Sequence, residues 1–273
     1  RRRTTDDTHW QHVTRDCRKL PMLKKRVKRL FVDHPRLGVW GLKLIRPLFA
    51  HHPSIHEPKI FLEQVKWRGF HPETILDVGA HLGEWSRMAK SVFPKAEVIL
   101  VEPQAEMQPF LDRFCARFPG SRWFQVGAGA EAGERTLFVS NDPAASSFLP
   151  SSEAPGGEKR VLEVQTINRI IGQHNLRVPD LIKIDVQGGE IEVLDGASAC
   201  FGSTTVFVVE ASLFEFHAGQ PIFHEIVYYM AERGYVTYDL VNLNRRPLDG
   251  ALGQVDICFA KEDSKLRSNS RWE

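Results

Sequence analysis

Residues 74–83 read Thr-Ile-Leu-Asp-Val-Gly-Ala-His-Leu-Gly, a short apolar run that ends in two glycines. Such a run is typical of a buried parallel β-strand that turns tightly into a helix. Gly79 and Gly83 follow the pattern G-x-x-x-G rather than the G-x-G-x-x-G of dinucleotide sites. At such a turn a ligand can approach the backbone, and the free N–H groups of the following helix favour a carboxylate. The glycine pair alone is weak evidence, because glycines at these turns often serve only the geometry of the chain.

Downstream of this stretch, apolar runs alternate with helical patterns. We predict further strands over residues 97–102, 122–126, 134–140, 160–165, 181–186, 204–210, 235–241 and 254–260. We predict helices over residues 84–92, 105–117 and 221–233, and another that begins at Gly188. The alternation indicates a doubly wound α/β fold, and the helix-free connection between the last two strands favours an antiparallel hairpin. The predicted fold is therefore a Rossmann-like, mainly parallel seven-stranded sheet with a terminal antiparallel hairpin.

The composition fits one large globular domain with an extension. The chain has 273 residues, 42% hydrophobic and 26% charged, with a formal net charge of +2. The charge is uneven, since residues 1–56 hold 14 Lys and Arg against 4 Asp and Glu, whereas residues 57–273 hold 22 against 30. We divide the chain into a basic, helical N-terminal extension (1–56), a core domain (57–262) and a polar C-terminal tail (263–273).

Several features favour a cytoplasmic protein. No apolar run is long enough to span a membrane, and no apolar signal core follows Arg1. The absence of an initiator Met leaves open whether Arg1 is the native start. Four cysteines are far apart without CxxC spacing, so neither a disulfide framework nor a zinc site is expected. The basic run 24–29 could touch anionic lipid at the inner membrane face, although a solvated helical extension is the simpler interpretation.

Small or acidic residues stand at the ends of three predicted strands. Glu102 ends the second strand, 23 residues after Gly79, where an acid can accept hydrogen bonds from both ribose hydroxyls. Gly127 and Ala128 follow the third strand and leave room for a flat adenine ring. Asp185 closes a buried strand, where a charge without a function is costly. Since open α/β sheets bind ligands at this edge, we predict a nucleoside site.

The stretch around Asp185 points to a family. It reads Lys-Ile-Asp-Val-Gln-Gly-Gly-Glu over residues 183–190 and continues into an apolar helix that ends in Leu-Asp-Gly. This pattern resembles the FkbM-type methyltransferases, which show K-I-D-V-E/Q-G-x-E. The resemblance covers about residues 74–262 and includes the segments 77–84, 102–103, 208–210, 234–235 and 254–260. Gln187 stands where many relatives carry Glu, which excludes an acid role for it, and residues 1–56 lie outside the resemblance.

The resemblance implies a class I methyltransferase fold with S-adenosylmethionine as the methyl donor. It also implies O-methylation of a sugar, a glycolipid or lipooligosaccharide unit, or another secondary metabolite such as a polyketide. The partner would then be a hydroxyl-bearing small molecule or glycan. We assign the cofactor site to residues at the carboxyl ends of four strands: Asp77, Gly79, Ala80, His81, Leu82, Gly83, Glu102, Pro103, Gly127, Ala128, Asp185 and Val186.

An alcohol acceptor needs a base to take its proton. We predict that Asp185 orients the cofactor and the acceptor, and that Glu210 and His217 form the base pair, because a carboxylate can fix the tautomer of a histidine. His217 could equally be an exposed loop residue, and His81 is a further candidate base. A divalent ion shared by Asp185 and Glu210 is a variant, but no third ligand is evident and no metal is expected.

Residues 141–159 are polar and rich in Pro, Ser and Gly, which predicts a mobile loop. The serine pair 146–147 resembles one found at this place in the family, so the loop could cover the active site as a lid. The alternative is a disordered surface loop.

Three other functions are compatible with parts of the sequence. A nucleic-acid methyltransferase would use the basic extension to hold RNA phosphates, although the core domain is acidic. A nicotinamide oxidoreductase is disfavoured by the G-x-x-x-G spacing. A non-catalytic nucleoside-binding protein would not need Asp185. The sequence leaves open the acceptor, the general base, the oligomeric state and the role of residues 1–56.

Overall fold

The computed structural model describes residues 56–140, 142–150 and 158–271. The predicted extension therefore lies outside the described residues apart from His56, as do residues 272–273 of the tail. The helices are α1 Pro58–Trp67, α2 Glu84–Val92, α3 Gln108–Arg117, α4 Ile167–Gln173, α5 Glu190–Gly196 and α6 Phe223–Ala231. The strands are β1 Thr74–Val78, β2 Glu97–Val101, β3 Arg122–Phe124, β4 Gly127–Ala128, β5 Gly133–Phe138, β6 Lys159–Gln165, β7 Leu181–Ile184, β8 Val206–Ser212, β9 Tyr235–Arg245 and β10 Leu252–Lys261.

Seven strands form the main sheet in the order β3-β2-β1-β7-β8-β10-β9. All neighbours among the first five are parallel, whereas β10 is antiparallel to both β8 and β9. The chain crosses from β9 to β10 by a turn, so β10 inserts between β8 and the edge strand. The predicted doubly wound sheet with a terminal antiparallel hairpin is confirmed.

Several predicted boundaries differ from the observed ones, and two of these differences lie at turns beside the cleft described below. The third strand stops at Phe124, and Gly127–Ala128 pairs instead with Val164 and Gln165 in a second sheet of order β4-β6-β5. The helix predicted from Gly188 begins only at Glu190, because Gln187 and Gly188 both adopt positive φ values, 56° and 107°, that no α-helix contains.

The two faces of the main sheet differ in polarity at the carboxyl ends of its parallel strands. On one face, alternate residues such as Val78, Ile184 and Val209 continue a single apolar cluster to the strand ends. On the other face, the apolar cluster gives way to buried charged side chains: Asp77, Lys183, Glu210 and Asp256. Since side chains alternate across a strand, these four share one side of the sheet, and this side holds the charged part of the site.

The remaining elements pack around this sheet. In α1, buried Phe61, Leu62 and Val65 join the apolar cluster on the charged side. The tail predicted as polar contains a short turn of helix, Lys265–Arg267, whose Leu266 also packs against that cluster. None of the helices within the described ranges has the length and apolar character needed to cross a membrane.

Candidate active site

A cleft of about 450 Å³ opens at the carboxyl ends of β1, β2, β7 and β8. The structure brings these sequence-predicted residues together in its wall: Gly79, Ala80, His81, Leu82, Glu102, Pro103, Gly127, Ala128, Asp185, Val186 and Glu210. Asp77, Gly83 and His217 are not part of that wall.

Gly79 lies in the loop that follows β1, called the first loop below, and packs against the backbone of Asp185 at the end of β7. It has a φ of 77°, and a Cβ atom there would overlap the carbonyl oxygen of Asp185. The N–H groups of Gly79 and Ala80 both donate to the Val101 carbonyl, at 2.9 and 3.2 Å. Gly83, with a φ of 72°, is the residue from which α2 begins. The glycine pattern therefore lets three strand ends approach one another, and it does so through backbone contacts.

Asp77 supports the cleft from behind. It is fully buried and accepts a hydrogen bond of 2.6 Å from the Ser86 hydroxyl, which ties β1 to α2. Its second oxygen lies 3.7 Å from Lys183 Nζ. Burial raises the pKa of Asp77, and the attraction of Lys183 together with the Ser86 hydrogen bond partly opposes that rise.

Glu102 follows β2 directly and is nearly buried. One carboxylate oxygen accepts the His81 N–H at 2.9 Å and the other accepts the Gln104 N–H at 3.0 Å. Burial raises the pKa of Glu102, and these two backbone donors partly oppose the rise. Each oxygen has a second lone pair, so the carboxylate can still accept two hydroxyl donors from a ligand in the cleft.

An apolar wall lies beside Gly127. Leu137, Phe148 and Val126 line this part of the cleft. A Cβ atom at Gly127 would come within 2.7 Å of the Phe148 ring, so only glycine lets the ring pack here. Such a wall suits a flat, apolar group of a ligand.

Asp185 directly follows β7, which lies beside β1 on the side away from β2 and β3. Its Oδ2 accepts a hydrogen bond of 3.0 Å from Lys183 Nζ, and its Oδ1 accepts one of 2.8 Å from Gln187 Nε2. Its side chain is 30% exposed. Burial lowers the pKa of Lys183, but the carboxylates of Asp185 and Asp77 outweigh burial and hold that pKa above its usual value.

Glu210, on β8, is the second carboxylate of the group. Its Oε2 accepts hydrogen bonds from Gln187 Nε2 at 2.8 Å and from Gln254 Nε2 at 3.0 Å. Burial, followed by the charges of Asp185, Glu190 and Asp256, raises the pKa of Glu210 well above its usual value.

Two further buried carboxyl groups stand close to Glu210. Asp256 is the cross-strand partner of Glu210 in β10, and burial with the nearby charge of Asp185 raises its pKa to about 7. Glu190, at the start of α5, accepts the Gly188 N–H at 2.9 Å, and burial raises its pKa to about 7. Within the described ranges, no group of three or more His, Cys, Asp and Glu side chains is arranged to hold a metal ion.

His217 is half-buried in the loop after β8. Its backbone N–H donates to Gln220 Oε1 at 3.1 Å, and Gln220 Nε2 in turn donates to the Ser212 hydroxyl at 2.8 Å. Gln187 and Gln254 donate side-chain hydrogen bonds to Glu210 in the described structure. The pairing of Glu210 with His217 stays a prediction.

Sequence reasoning gave no role to Lys183, Gln187, Gln254, Asn244 or Trp85, which also line the cleft. A signal was present for Lys183, because it precedes Asp185 by two residues and so shares its side of the strand. No comparable signal existed for Gln254, since its proximity to Glu210 depends on the insertion of β10 beside β8.

Residues 142–150, named the covering segment below, contribute Asp142 to Ser146 and Phe148 to the lining of the cleft. The Phe138 N–H donates to the Ser147 carbonyl at 2.8 Å and the Ser147 N–H donates back at 3.2 Å. The Ser147 hydroxyl donates to the Gln187 carbonyl at 2.6 Å. This part of the predicted mobile loop is thus hydrogen-bonded to both sides of the cleft, and residues 141 and 151–157 lie outside the described structure.

The sheet order, the antiparallel β10 and a cleft at the glycine loop define a class I methyltransferase fold. The sequence profile of the methyltransferase FkbM domain matches residues 77–237, which is more than half of the chain. The chain belongs to the FkbM methyltransferase family. This confirms the family predicted from residues 183–190.

A relative and two solved structures illustrate the similarity. Methyltransferase sdnD of Sordaria araneosa is 27% identical over 153 residues, which are 45% of this chain and 59% of that protein. The precorrin-6y C5,15-methyltransferase of Geobacter metallireducens has a TM-score of 0.41 and 16% identity, over 74% of this chain and 86% of that one. The 1,6-didemethyltoxoflavin-N1-methyltransferase of Burkholderia thailandensis has a TM-score of 0.42 and 10% identity, over 96% and 94%.

Proposed function

We propose that this protein is an S-adenosylmethionine-dependent methyltransferase that methylates a hydroxyl group of a sugar, a glycolipid or another secondary metabolite. The observation that carries the proposal is one cleft with two different carboxylate sites. Glu102, held by backbone donors, suits a ribose, and the Asp185–Glu210 pair suits a hydroxyl acceptor.

The residues present fit the nucleoside donor. The cleft volume of about 450 Å³ falls within the range of roughly 300–1,000 Å³ found for ligand sites. Glu102 keeps free lone pairs for ribose hydroxyls. Trp85, another lining residue, has a buried indole N–H without a hydrogen-bond partner among the described residues, which leaves a donor for a ligand. Gly127 and Ala128 would lie against the adenine.

S-adenosylmethionine, when bound, supplies a methyl group on a cationic sulfonium. The protein then has to align the acceptor oxygen and take up its proton. Lys183 and Gln187 fix the direction of the Asp185 carboxylate, whose exposed edge can accept a hydrogen bond from the acceptor hydroxyl. We assign Asp185 to orienting the acceptor, and Glu210 to proton uptake together with Asp185. His217 remains the third candidate group for that proton.

The test is calorimetric titration with S-adenosylmethionine, S-adenosylhomocysteine and NADH in parallel. The proposal predicts binding of the first two and no heat with NADH. Absence of binding by both adenosyl compounds would contradict the site assignment, and binding of NADH would favour an oxidoreductase. Binding without transfer to any hydroxyl acceptor in a broad screen would favour a nucleoside-binding protein.

We further propose a cytoplasmic location with weak contact at the inner membrane face through residues 1–56, which hold 14 Lys and Arg against 4 Asp and Glu. Replacing Lys24, Lys25 and Arg26 by Ser in the full chain should weaken binding to vesicles that contain anionic lipid, by about 1 kcal/mol for each charge removed. Unchanged vesicle binding would remove this part of the proposal. Strongly salt-dependent binding of RNA by the unmodified chain would instead support a nucleic-acid acceptor.

A further inference from the structure

A single amide nitrogen links the two carboxylates of the acceptor site. Gln187 Nε2 lies 2.8 Å from Asp185 Oδ1 and 2.8 Å from Glu210 Oε2. A primary amide carries two N–H donors, so it can donate one hydrogen to each carboxylate at the same time. This arrangement brings together two acidic groups that would otherwise repel each other.

Several charged side chains lie near Asp185 and Glu210, but none of those within the described ranges is hydrogen-bonded to both carboxylates. Glu210 faces Asp185, Glu190 and Asp256 as negative groups and Lys183 as the positive one. The Lys183 ammonium is hydrogen-bonded to the far oxygen of Asp185 and lies near Asp77. Gln254 donates to Glu210 alone among the carboxylates. In the described structure, Gln187 is therefore the neutral side chain that touches both members of the pair.

The backbone of Gln187 adds a second contact. Its φ of 56° lies in the left-handed region. The Gln187 carbonyl accepts the Ser147 hydroxyl at 2.6 Å, and the same hydroxyl oxygen accepts the Leu149 N–H at 3.0 Å. One residue thus connects the carboxylate pair with the covering segment 142–150.

We propose that Gln187 is a positioning residue, whose amide holds the Asp185 and Glu210 carboxylates side by side for the acceptor while its carbonyl anchors the covering segment. We call the two hydrogen bonds from the Gln187 amide to Asp185 and Glu210 the clamp. The role of Gln187 in methyl transfer rests on the proposed function, whereas the existence of the clamp does not. An acid at this position would donate one hydrogen when protonated, or none when ionised, and the ionised form would add a negative charge. Gln187 therefore provides a neutral clamp that keeps both carboxylates available as acceptors.

The substitutions separate the clamp from the backbone. Gln187→Met keeps the length of the side chain and removes both donors. Gln187→Asn keeps an amide and suits a left-handed backbone, but it is one methylene too short to reach both carboxylates. Gln254→Met is the matched control, because it removes one donor from Glu210 and none from Asp185. Gln173→Met, at an exposed position, controls for the loss of an amide elsewhere.

The experiment is a pH titration of carboxyl ¹³C chemical shifts in the unliganded full chain, with signals assigned through Asp185→Asn and Glu210→Gln. Because donors stabilise the charged form, both Gln187→Met and Gln187→Asn should raise the pKa of Glu210 by about one unit, and both should also move the carboxyl signal of Asp185. Gln254→Met should move the Glu210 signal alone, and Gln173→Met should move neither. Thermal unfolding checks that each variant is folded.

Unchanged titration of both carboxylates in folded Gln187→Met and Gln187→Asn would overturn the clamp, whatever the protein binds. Failure of S-adenosylmethionine to bind the unmodified chain would overturn the proposed function and leave this titration intact. With an acceptor in hand, the acidic limb of the kcat profile should move up by about one pH unit in Gln187→Met, with KM for the cofactor unchanged. A uniform loss of kcat at all pH values, without movement of the limb, would indicate a merely structural residue.

Discussion

The two ends of the cleft that we propose for the nucleoside and for the acceptor hold their carboxylates in different ways. At the nucleoside end, Glu102 accepts hydrogen bonds from backbone N–H groups of the first loop and of its own turn. At the acceptor end, Asp185 and Glu210 depend on the side chains of Lys183, Gln187 and Gln254. The position of a carboxylate that is held by backbone donors changes only when the loop conformation changes. The position and hydrogen bonding of a carboxylate that is held by side chains can be altered by a single substitution. We infer that the first end fixes the cofactor and the second adapts to the acceptor.

Gly79 joins the two ends, so its substitution should have the largest effect. In Gly79→Ala the new Cβ would overlap the Asp185 carbonyl, and alanine disfavours the φ of 77°. We expect a loss of about 3–5 kcal/mol in the free energy of unfolding, measured with urea. Gly69→Ala is the control, because Gly69 has a φ of 91° and no atom within 4 Å of the added Cβ. Equal losses in both variants would show that strain at φ, rather than the contact between the ends, explains the effect.

Asp185→Asn should damage the acceptor end alone. The amide cannot take up the hydroxyl proton, so turnover of the identified acceptor should fall about 10²–10⁴-fold. The variant should remain folded, because the amide keeps an oxygen that can accept from Lys183 Nζ, and Asp77 still offsets the charge of Lys183. Turnover within a factor of about two, a change well below the loss of a general base, would remove Asp185 from the mechanism.

Glu190→Gln tests the buried acid beside the acceptor end through the pH dependence of stability. Burial raises the pKa of Glu190 from 4.5 to about 7, so the folded state binds more protons than the unfolded state between these values. Its contribution is fully present below pH 4.5 and is lost as the pH rises through 7. Relative to the unmodified chain, Glu190→Gln should therefore gain stability on going from pH 5 to pH 8, by about 2 kcal/mol. A constant difference at both pH values would contradict the raised pKa.

Ser147→Ala should have the smallest effect. It removes the hydroxyl that links the covering segment to the Gln187 carbonyl, at a cost of about 1 kcal/mol. Limited proteolysis should cut residues 142–150 faster in the variant than in the unmodified chain when S-adenosylhomocysteine is present. Ser151→Ala, on the same stretch of sequence, serves as the composition control. Identical cleavage rates in all three proteins would argue against a cover anchored at Ser147.

Much of the nucleoside end could be predicted from the sequence, because it follows from local order along the chain. Glycine after a strand and an acid after the next strand place Gly79 and Glu102 at one edge without knowledge of other contacts. The acceptor end depends on register between distant strands. Asp256 faces Glu210 only because β10 inserts beside β8. His217 was chosen for its nearness in sequence to Glu210, but β8 continues to Ser212 before the loop begins.

The second sheet shows the same limit. The extra strands β5 and β6 were predicted close to their observed bounds, yet the pairing of β6 with Gly127–Ala128 was not. Two residues are too few for a periodic pattern, so the pairing is visible only in three dimensions. This pairing leaves Gly127 and Ala128 in the wall of the cleft, where they had been predicted.

The most direct test of the division between the two ends is calorimetric binding of S-adenosylhomocysteine, whose sulfur is uncharged, to Glu102→Gln and Asp185→Asn. Loss of a hydrogen bond to a charged group costs about 1.5–3 kcal/mol, so Glu102→Gln should weaken Kd about tenfold or more. Asp185→Asn should bind with nearly the Kd of the unmodified chain. Equal weakening in both variants, or weakening in Asp185→Asn alone, would contradict the assignment of the two ends.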